Sequence, residues 1–230
     1  MNNVASREKT GSLNLEYAKG RETSRALKYR LHRRTHEVLT AIEEFAPKPV
    51  RYILDLGTAE GRMLESVQAV HPDACSVGVE FDRDLIRFGH TLFPQLNLIR
   101  GDIQALGIRG GVFDVVIATA VIEHLPHPDQ AVREMKRVLK PGGILVMTAP
   151  DPFWERLATG VGHLKEDQHH KVMGLSELQN LVREGGLTVL KAEKFMLSPV
   201  GMPFEFAVER CLRKLHLGCL MANQLIVAGC

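Results

Sequence analysis

The feature that most narrows the fold begins at Tyr52, where short apolar runs alternate with amphipathic helical segments in the order YILDLG, GRMLESVQAV, SVGVEF, RDLIRFGHTLF, NLIRGD. That alternation reads as repeated βαβ units. It continues through FDVVIATAV, a helix from about Asp129 to Lys140, and the run ILVMTAP. The spacing predicts that Asp129 caps this helix, that Ala131, Val132, Met135, Val138 and Leu139 form its buried stripe, and that Lys140-Pro141-Gly142-Gly143 stops it.

A chain of 230 residues has room for one sizeable core with appendages, and too little for two ordinary domains with a linker. We expect an N-terminal arm and helix over 1–50 and a main domain over 51–230. Residues 1–20 are polar and without periodicity, an arm; from 23 to 46, Leu27, Leu31, Val38, Leu39, Ile42 and Phe45 recur at helical spacing until Pro47 and Pro49 end the pattern. After Pro150 comes a polar, histidine-bearing lid loop, 151–174. Ser176 and Gln179 are placed for a capping box on a helix that ends at Gly185-Gly186. Two strand-like runs follow, LTVLKAEKFML and ANQLIVAGC, separated by an insertion over 198–218 that holds the amphipathic stretch EFAVERCLRKL.

Composition enters mainly through what it excludes. With 45% apolar and 24% charged residues the chain matches soluble globular proteins rather than disordered or membrane-spanning ones. No apolar run approaches a bilayer span, and the N-terminus lacks the apolar centre of a signal peptide, so a cytoplasmic location is expected. Four cysteines without a CxxC pair argue against a zinc site or a disulfide framework. The net charge is only +2, but Arg21, Arg25, Lys28, Arg30, Arg33 and Arg34 crowd the first helix, and Arg210, Arg213 and Lys214 form a second cluster. A solvated helix face is one reading. The other is a basic, apolar-edged surface for an anionic or lipid-linked acceptor or a membrane surface.

The chemistry concentrates at the strand ends. Asp55-Leu56-Gly57-Thr58-Ala59-Glu60-Gly61 closes the first strand and opens a helix, as in folds that bind nucleotides at the carboxyl edge of a parallel sheet. A pyrophosphate fingerprint would be G-x-G-x-x-G, and the spacing here is G-x-x-x-G. Glu80 ends the next strand, 19 positions after Gly61, where a carboxylate can accept from both ribose hydroxyls of a nucleoside. Asp102 follows the third strand, placed to bond an adenine amino group, with Ile103 and Phe81 as apolar walls. Taken singly, the glycines read as turn residues and the acids as strand-end caps; taken jointly, they read as a cofactor site.

In these residues the stretch from Tyr52 to Ala149 resembles the class I S-adenosylmethionine-dependent methyltransferases, in the group that includes the ubiquinone and menaquinone biosynthesis methyltransferases. The resemblance rests on ILDLGTAEGR, VGVEFD, GDIQAL, FDVVIATAVIEHL and REMKRVLKPGGILVMTAP in that order. It implies an α/β fold, Rossmann-like and doubly wound, with a seven-stranded sheet, a C-terminal antiparallel strand and a helical N-terminal extension. It also implies S-adenosylmethionine as cofactor and S-adenosylhomocysteine as product. Asp55, Gly57, Thr58 and Gly61 would shape the methionine end of the pocket. Glu80 would hold the ribose, Asp102 and Ile103 the adenine beside Phe81, and the Ala118 backbone would meet the methionine amino group. Ala59 stands where the family more often has glycine or cysteine.

Methyl transfer from a sulfonium is an in-line displacement to which a protein contributes mainly alignment. A hydroxyl acceptor gains from a general base, and histidine titrates in the right range. His124, beside Glu123 after the fourth strand, is the first candidate; His169, with His127, His163 and His170, is a further one. Alternatively, Glu123 and His124 only hold the loop by hydrogen bonds. Some relatives bind a divalent metal with a glutamate three positions before the Glu-His pair; Ala120 stands there, so no metal is expected. The motifs of nucleic-acid methyltransferases, Asn/Asp-Pro-Pro-Tyr/Phe or a Pro-Cys nucleophile, are absent, which favours a small-molecule acceptor such as a lipid, quinone precursor or sugar. A non-catalytic cofactor-binding module and, more remotely, a nicotinamide dehydrogenase are the rivals. An apolar insertion helix would also allow a homodimer.

Overall fold

The computed structural model describes residues 15–160, 172–198, 200–215 and 217–230. Its centre is a seven-stranded sheet of β1 (Tyr52–Leu56), β2 (Cys75–Glu80), β3 (Asn97–Arg100), β4 (Phe113–Thr119), β5 (Leu139–Pro150), β6 (Thr188–Phe195) and β7 (Asn223–Gly229), in the order β3-β2-β1-β4-β5-β7-β6. The first five strands are parallel, and β7 runs antiparallel between β5 and β6. The order reverses at β1/β4, which leaves a crevice at their carboxyl ends.

Helices cover both faces, which is why β4 reads as an unbroken apolar run rather than an alternating one. Val115 and Ile117 pack with Val38 and Ile42 of α2 (Arg25–Phe45) and with Met63 and Val67 of α3 (Arg62–Val70). Val116 and Ala118 face the opposite side, with Ala131, Val132 and Met135 of α5 (Pro128–Val138) and Leu178 and Val182 of α7 (Leu175–Glu184). The remaining helices are α1 (Leu15–Thr23), α4 (Arg83–Leu92), α6 (Pro152–Gly160) and α8 (Glu205–Lys214). None of the described helices is long and apolar enough to cross a membrane.

Several expectations are corrected at their boundaries. The N-terminal helix is two helices: Ser24 ends α1 and caps α2, its side chain accepting from the Leu27 amide at 3.4 Å, so part of the expected arm is helical. Asp129 does not cap α5, because Pro128, whose missing N–H costs nothing at a helix start, already occupies the first turn. That helix ends at Val138, and Lys140 to Gly143 already belong to β5. The helix expected to be capped by Ser176 and Gln179 starts two residues earlier, with Gly174 at the cap, whose amide donates to the Glu177 carboxylate at 2.8 Å. In the expected lid loop, residues 152–160 form α6, and the stretch holding His163, His169 and His170 lies outside the described residues.

The basic front helix is corrected most. Arg33 is wholly buried, its guanidinium 2.8 Å from Glu209 and 3.2 Å from Glu37. Arg34 donates to the Asn223 side chain and Arg21 to Glu60. Much of the apparent basic face is therefore internal wiring.

Candidate cofactor site

The chain leaves β1 at Leu56 and must turn at once to start α3. Gly57 has φ 69°, and a Cβ there would stand 2.6 Å from the Val121 side chain, so only glycine lets the turn pass under the loop after β4. Gly61, φ 85°, begins α3 in the left-handed region, where an added Cβ would meet Leu96 at 2.9 Å. The Gly57 and Thr58 amides donate to the Val79 carbonyl at 2.9 and 3.2 Å and so tie the turn to the end of β2. Ala59 also takes a positive φ, 52°, a conformation that costs an L-residue of this kind ~1–2 kcal/mol relative to the right-handed region.

Glu80 lies at the centre of this turn. Its carboxylate is almost fully buried and accepts from three backbone amides: Phe81 at 2.7 Å and Asp82 at 3.0 Å on Oε1, Ala59 at 2.9 Å on Oε2. Burial pushes its carboxyl above the ordinary range, against the downward pull of those amides. Asp55 is fully buried one strand away, and its Oδ2 accepts the Thr58 hydroxyl at 2.6 Å. Loss of solvent drives its carboxyl up to about 7, the Thr58 bond opposes this, and the nearby Glu80 charge adds to it.

Around these acids the remaining expected residues are arranged unevenly. Phe81 keeps half of its surface in solvent beside Glu80, with the Arg100 guanidinium 5.4 Å from its ring centre. Ile103 is buried in the core, and Asp102, exposed, accepts from the Gln104 amide at 2.9 Å, so it caps its own turn. Ala118 is buried within β4, paired with Leu56 and Met147. Glu123 and His124 form a short 3₁₀ turn after β4, Glu123 buried and His124 half-buried. The structure thus brings Asp55, Gly57, Thr58, Gly61, Glu80 and Phe81 together at the carboxyl ends of β1 and β2. Asp102 and Ile103 follow β3, and Ala118, Glu123 and His124 follow or end β4.

Sequence reasoning missed Glu60 and the helix that covers it. Glu60 is fully buried and binds Arg21 of α1 at 2.8 Å and Arg62 at 3.0 Å, while Arg62 also reaches Glu22 of α1 at 2.8 Å. Ala18 of α1 packs with Ala59 and Leu85. The only signal was Glu60 inside the glycine turn, since its partner sits 39 positions earlier.

The residues present fit an adenosyl nucleoside carrying a flexible amino-acid tail. An ionised carboxylate offers about four acceptor positions, and three amides leave Glu80 one on Oε2 for a ribose hydroxyl. The half-exposed Phe81 ring beside it supplies an apolar face for a purine. The turn made by Gly57 is held closely under Val121 and so fixes the backbone next to the Glu80 carboxylate.

The comparisons with known proteins bear on the fold and the family. The fold is a doubly wound α/β sheet of the kind that opens a crevice at the carboxyl ends of its parallel strands. Residues 29–192 match the family model described as a methyltransferase domain, and the chain belongs to that family. S-adenosylmethionine is the cofactor this membership implies. The chain is similar to the demethylmenaquinone methyltransferase of Streptomyces avermitilis, 30% identical over 124 residues that make up 54% of this chain and 52% of that one. It is also 30% identical over 103 residues to the trans-aconitate 2-methyltransferase of Azoarcus sp., over 45% of this chain and 40% of that one. The matched regions span from 32% to 54% of the length of such curated relatives. A SAM-dependent methyltransferase structure from Archaeoglobus fulgidus superposes over 94% of this chain and 100% of its own with a TM-score of 0.66 at 18% identity, a likeness of fold.

Proposed function

We propose that the chain transfers the methyl group of S-adenosylmethionine to a small-molecule acceptor above the carboxyl ends of β4 and β5. The observation that carries this reading is the buried Glu80 carboxylate, held by three amides at the end of β2 directly against the glycine turn. When bound, the cofactor supplies an electrophilic methyl on a sulfonium. Glu80 holds the ribose, Phe81 and Ile103 wall the purine, Asp102 accepts from its amino group, and Asp55, Gly57, Thr58, Gly61 and the Ala118 backbone shape the methionine end. Fixing both reactants in line is the largest contribution the protein makes, worth up to ~7–11 kcal/mol in well-oriented systems.

His124 is the base that would take a proton from a hydroxyl acceptor, and the buried Glu123 beside it orients the turn. His169 is a further base in this reading. Lipids, quinone precursors and sugars are the acceptor classes favoured, with action in the cytoplasm. The test follows S-adenosylhomocysteine release from the purified chain across a panel of such acceptors. Turnover with one acceptor class is expected, and His124→Gln should lower kcat about 100-fold or more while leaving cofactor affinity unchanged. No release with any acceptor, despite cofactor binding, would move the chain to a non-catalytic binding role.

A further inference from the structure

Helix α8 is built inside out. Its two acids, Glu205 and Glu209, lie one turn apart and are both buried. Glu209 receives Arg33 at 2.8 Å and the Leu197 amide at 3.0 Å; Glu205 accepts from the Ser198 amide at 3.0 Å, the Met202 amide at 3.3 Å and the Tyr29 hydroxyl. These are the only acids between residues 196 and 222, so the whole insertion turns its negative charge inward. What it turns outward is apolar and basic. Met202, Phe204, Phe206, Leu215, Leu217 and Leu220 are exposed, Phe204 at 85%, and Arg210 and Lys214 stand exposed on the same helix. A surface helix of a water-soluble protein ordinarily has the opposite polarity, and so many large apolar side chains exposed within one short insertion point to an interaction site.

We propose that this face of the insertion docks on an anionic phospholipid surface. The apolar side chains suit the boundary between headgroups and acyl chains, and the two cations suit lipid phosphates. Charge selects this occupant over a second copy of the chain: a two-fold contact through the face would bring the patch bearing Arg210 and Lys214 against its own like charges. The insertion lies between Phe195 and Asn223, which pair with each other, and Asn223 also pairs with Pro150. That is the same edge of the sheet at which β1, β2 and β4 end. A docked chain would thus meet a membrane-borne anionic acceptor on its active edge; this last step rests on the methyl-transfer reading, whereas the docking does not.

The single tryptophan gives a direct readout, because Trp154 donates from its indole nitrogen to the Leu220 carbonyl at 3.0 Å. The full chain is titrated at low salt with vesicles of phosphatidylcholine alone and with vesicles containing equal parts of phosphatidylglycerol, following co-sedimentation and Trp154 emission. Co-sedimentation and a blue shift are expected with the anionic vesicles only. The double substitution Arg210→Gln with Lys214→Gln should weaken partitioning about 30-fold. Phe204→Asn should weaken it about tenfold without unfolding the chain, since Phe204 holds a φ of 58° that asparagine tolerates better. Three results would overturn docking: no binding to anionic vesicles, equal binding to both kinds, or undiminished binding by these variants. A concentration-dependent dimer in the absence of lipid that Phe204→Asn dissolves would assign the face to a second copy instead. Cofactor affinity, measured on the same variants, should not change. Loss of docking with cofactor binding intact therefore leaves the methyl-transfer reading standing, and the reverse result leaves docking standing.

Discussion

Replacing Glu80 by glutamine keeps the shape of the side chain while removing its charge and one of its two acceptor oxygens. In the native turn Oε1 takes the Phe81 and Asp82 amides and Oε2 takes the Ala59 amide. Glutamine can keep the first pair on its carbonyl oxygen, but its NH₂ group then faces the Ala59 N–H, donor against donor. An orphaned buried amide costs ~1–3 kcal/mol. For a chain of this length each kcal/mol lowers Tm by about 2–4 °C, so a fall of about 2–12 °C is expected. Cofactor binding suffers separately, because the acceptor position left on Oε2 is the one lost. A hydrogen bond to a charged group contributes ~1.5–3 kcal/mol, which predicts a Kd about 10- to 150-fold higher. Titration calorimetry with S-adenosylmethionine, beside thermal unfolding of the same preparation, separates the two effects. If Tm falls as expected while Kd stays within about threefold of wild type, Glu80 is a fastener of the turn and its role in ribose recognition is refuted.

Gly57→Ala should weaken both stability and cofactor binding, since its Cβ would stand 2.6 Å from Val121; adding Val121→Ala should restore the part due to the clash, and the absence of any recovery in Tm would show that backbone strain alone is responsible. Arg33→Met strands the buried Glu209 charge and should cost ~3–5 kcal/mol, whereas the pair Arg33→Met with Glu209→Leu should recover only part of it, because Glu37 loses its Arg33 partner and the Leu197 amide its acceptor. Equal losses in urea unfolding of the single and double variants would contradict that account. Asp55 titrates at about 7 in the fold against an ordinary 3.8, so its neutral form is the one the native state favours. Its contribution to stability is fully present below the ordinary value and is lost as pH rises through about 7. Asp55→Asn should therefore flatten the decline in Tm over that window, and parallel curves for the two proteins would refute it.

The sequence by itself determined the parallel half of the sheet and its helices, because the forces that set them act locally. Alternating apolar runs, the buried stripe of Ala131, Val132, Met135 and Val138, and the glycines at 57 and 61 each carry their meaning within a few residues. Glu80 was legible for the same reason: a strand's last residue has a known direction and a known neighbour. Boundaries slipped where two local signals competed, as when Pro128 displaced Asp129 from the cap of α5. Tertiary structure alone decided the pairs of distant charges. Arg33 and Glu209 are 176 positions apart, and nothing near either one indicates that a basic helix should bury its arginine against an acidic stripe. The same holds for Arg21 and Glu60, which lay α1 over the glycine turn. The inversion of α8 follows from these pairings. Once its acids are drawn inward by Arg33 and by the backbone amides of the insertion, Phe204, Arg210 and Lys214 are left on the outside.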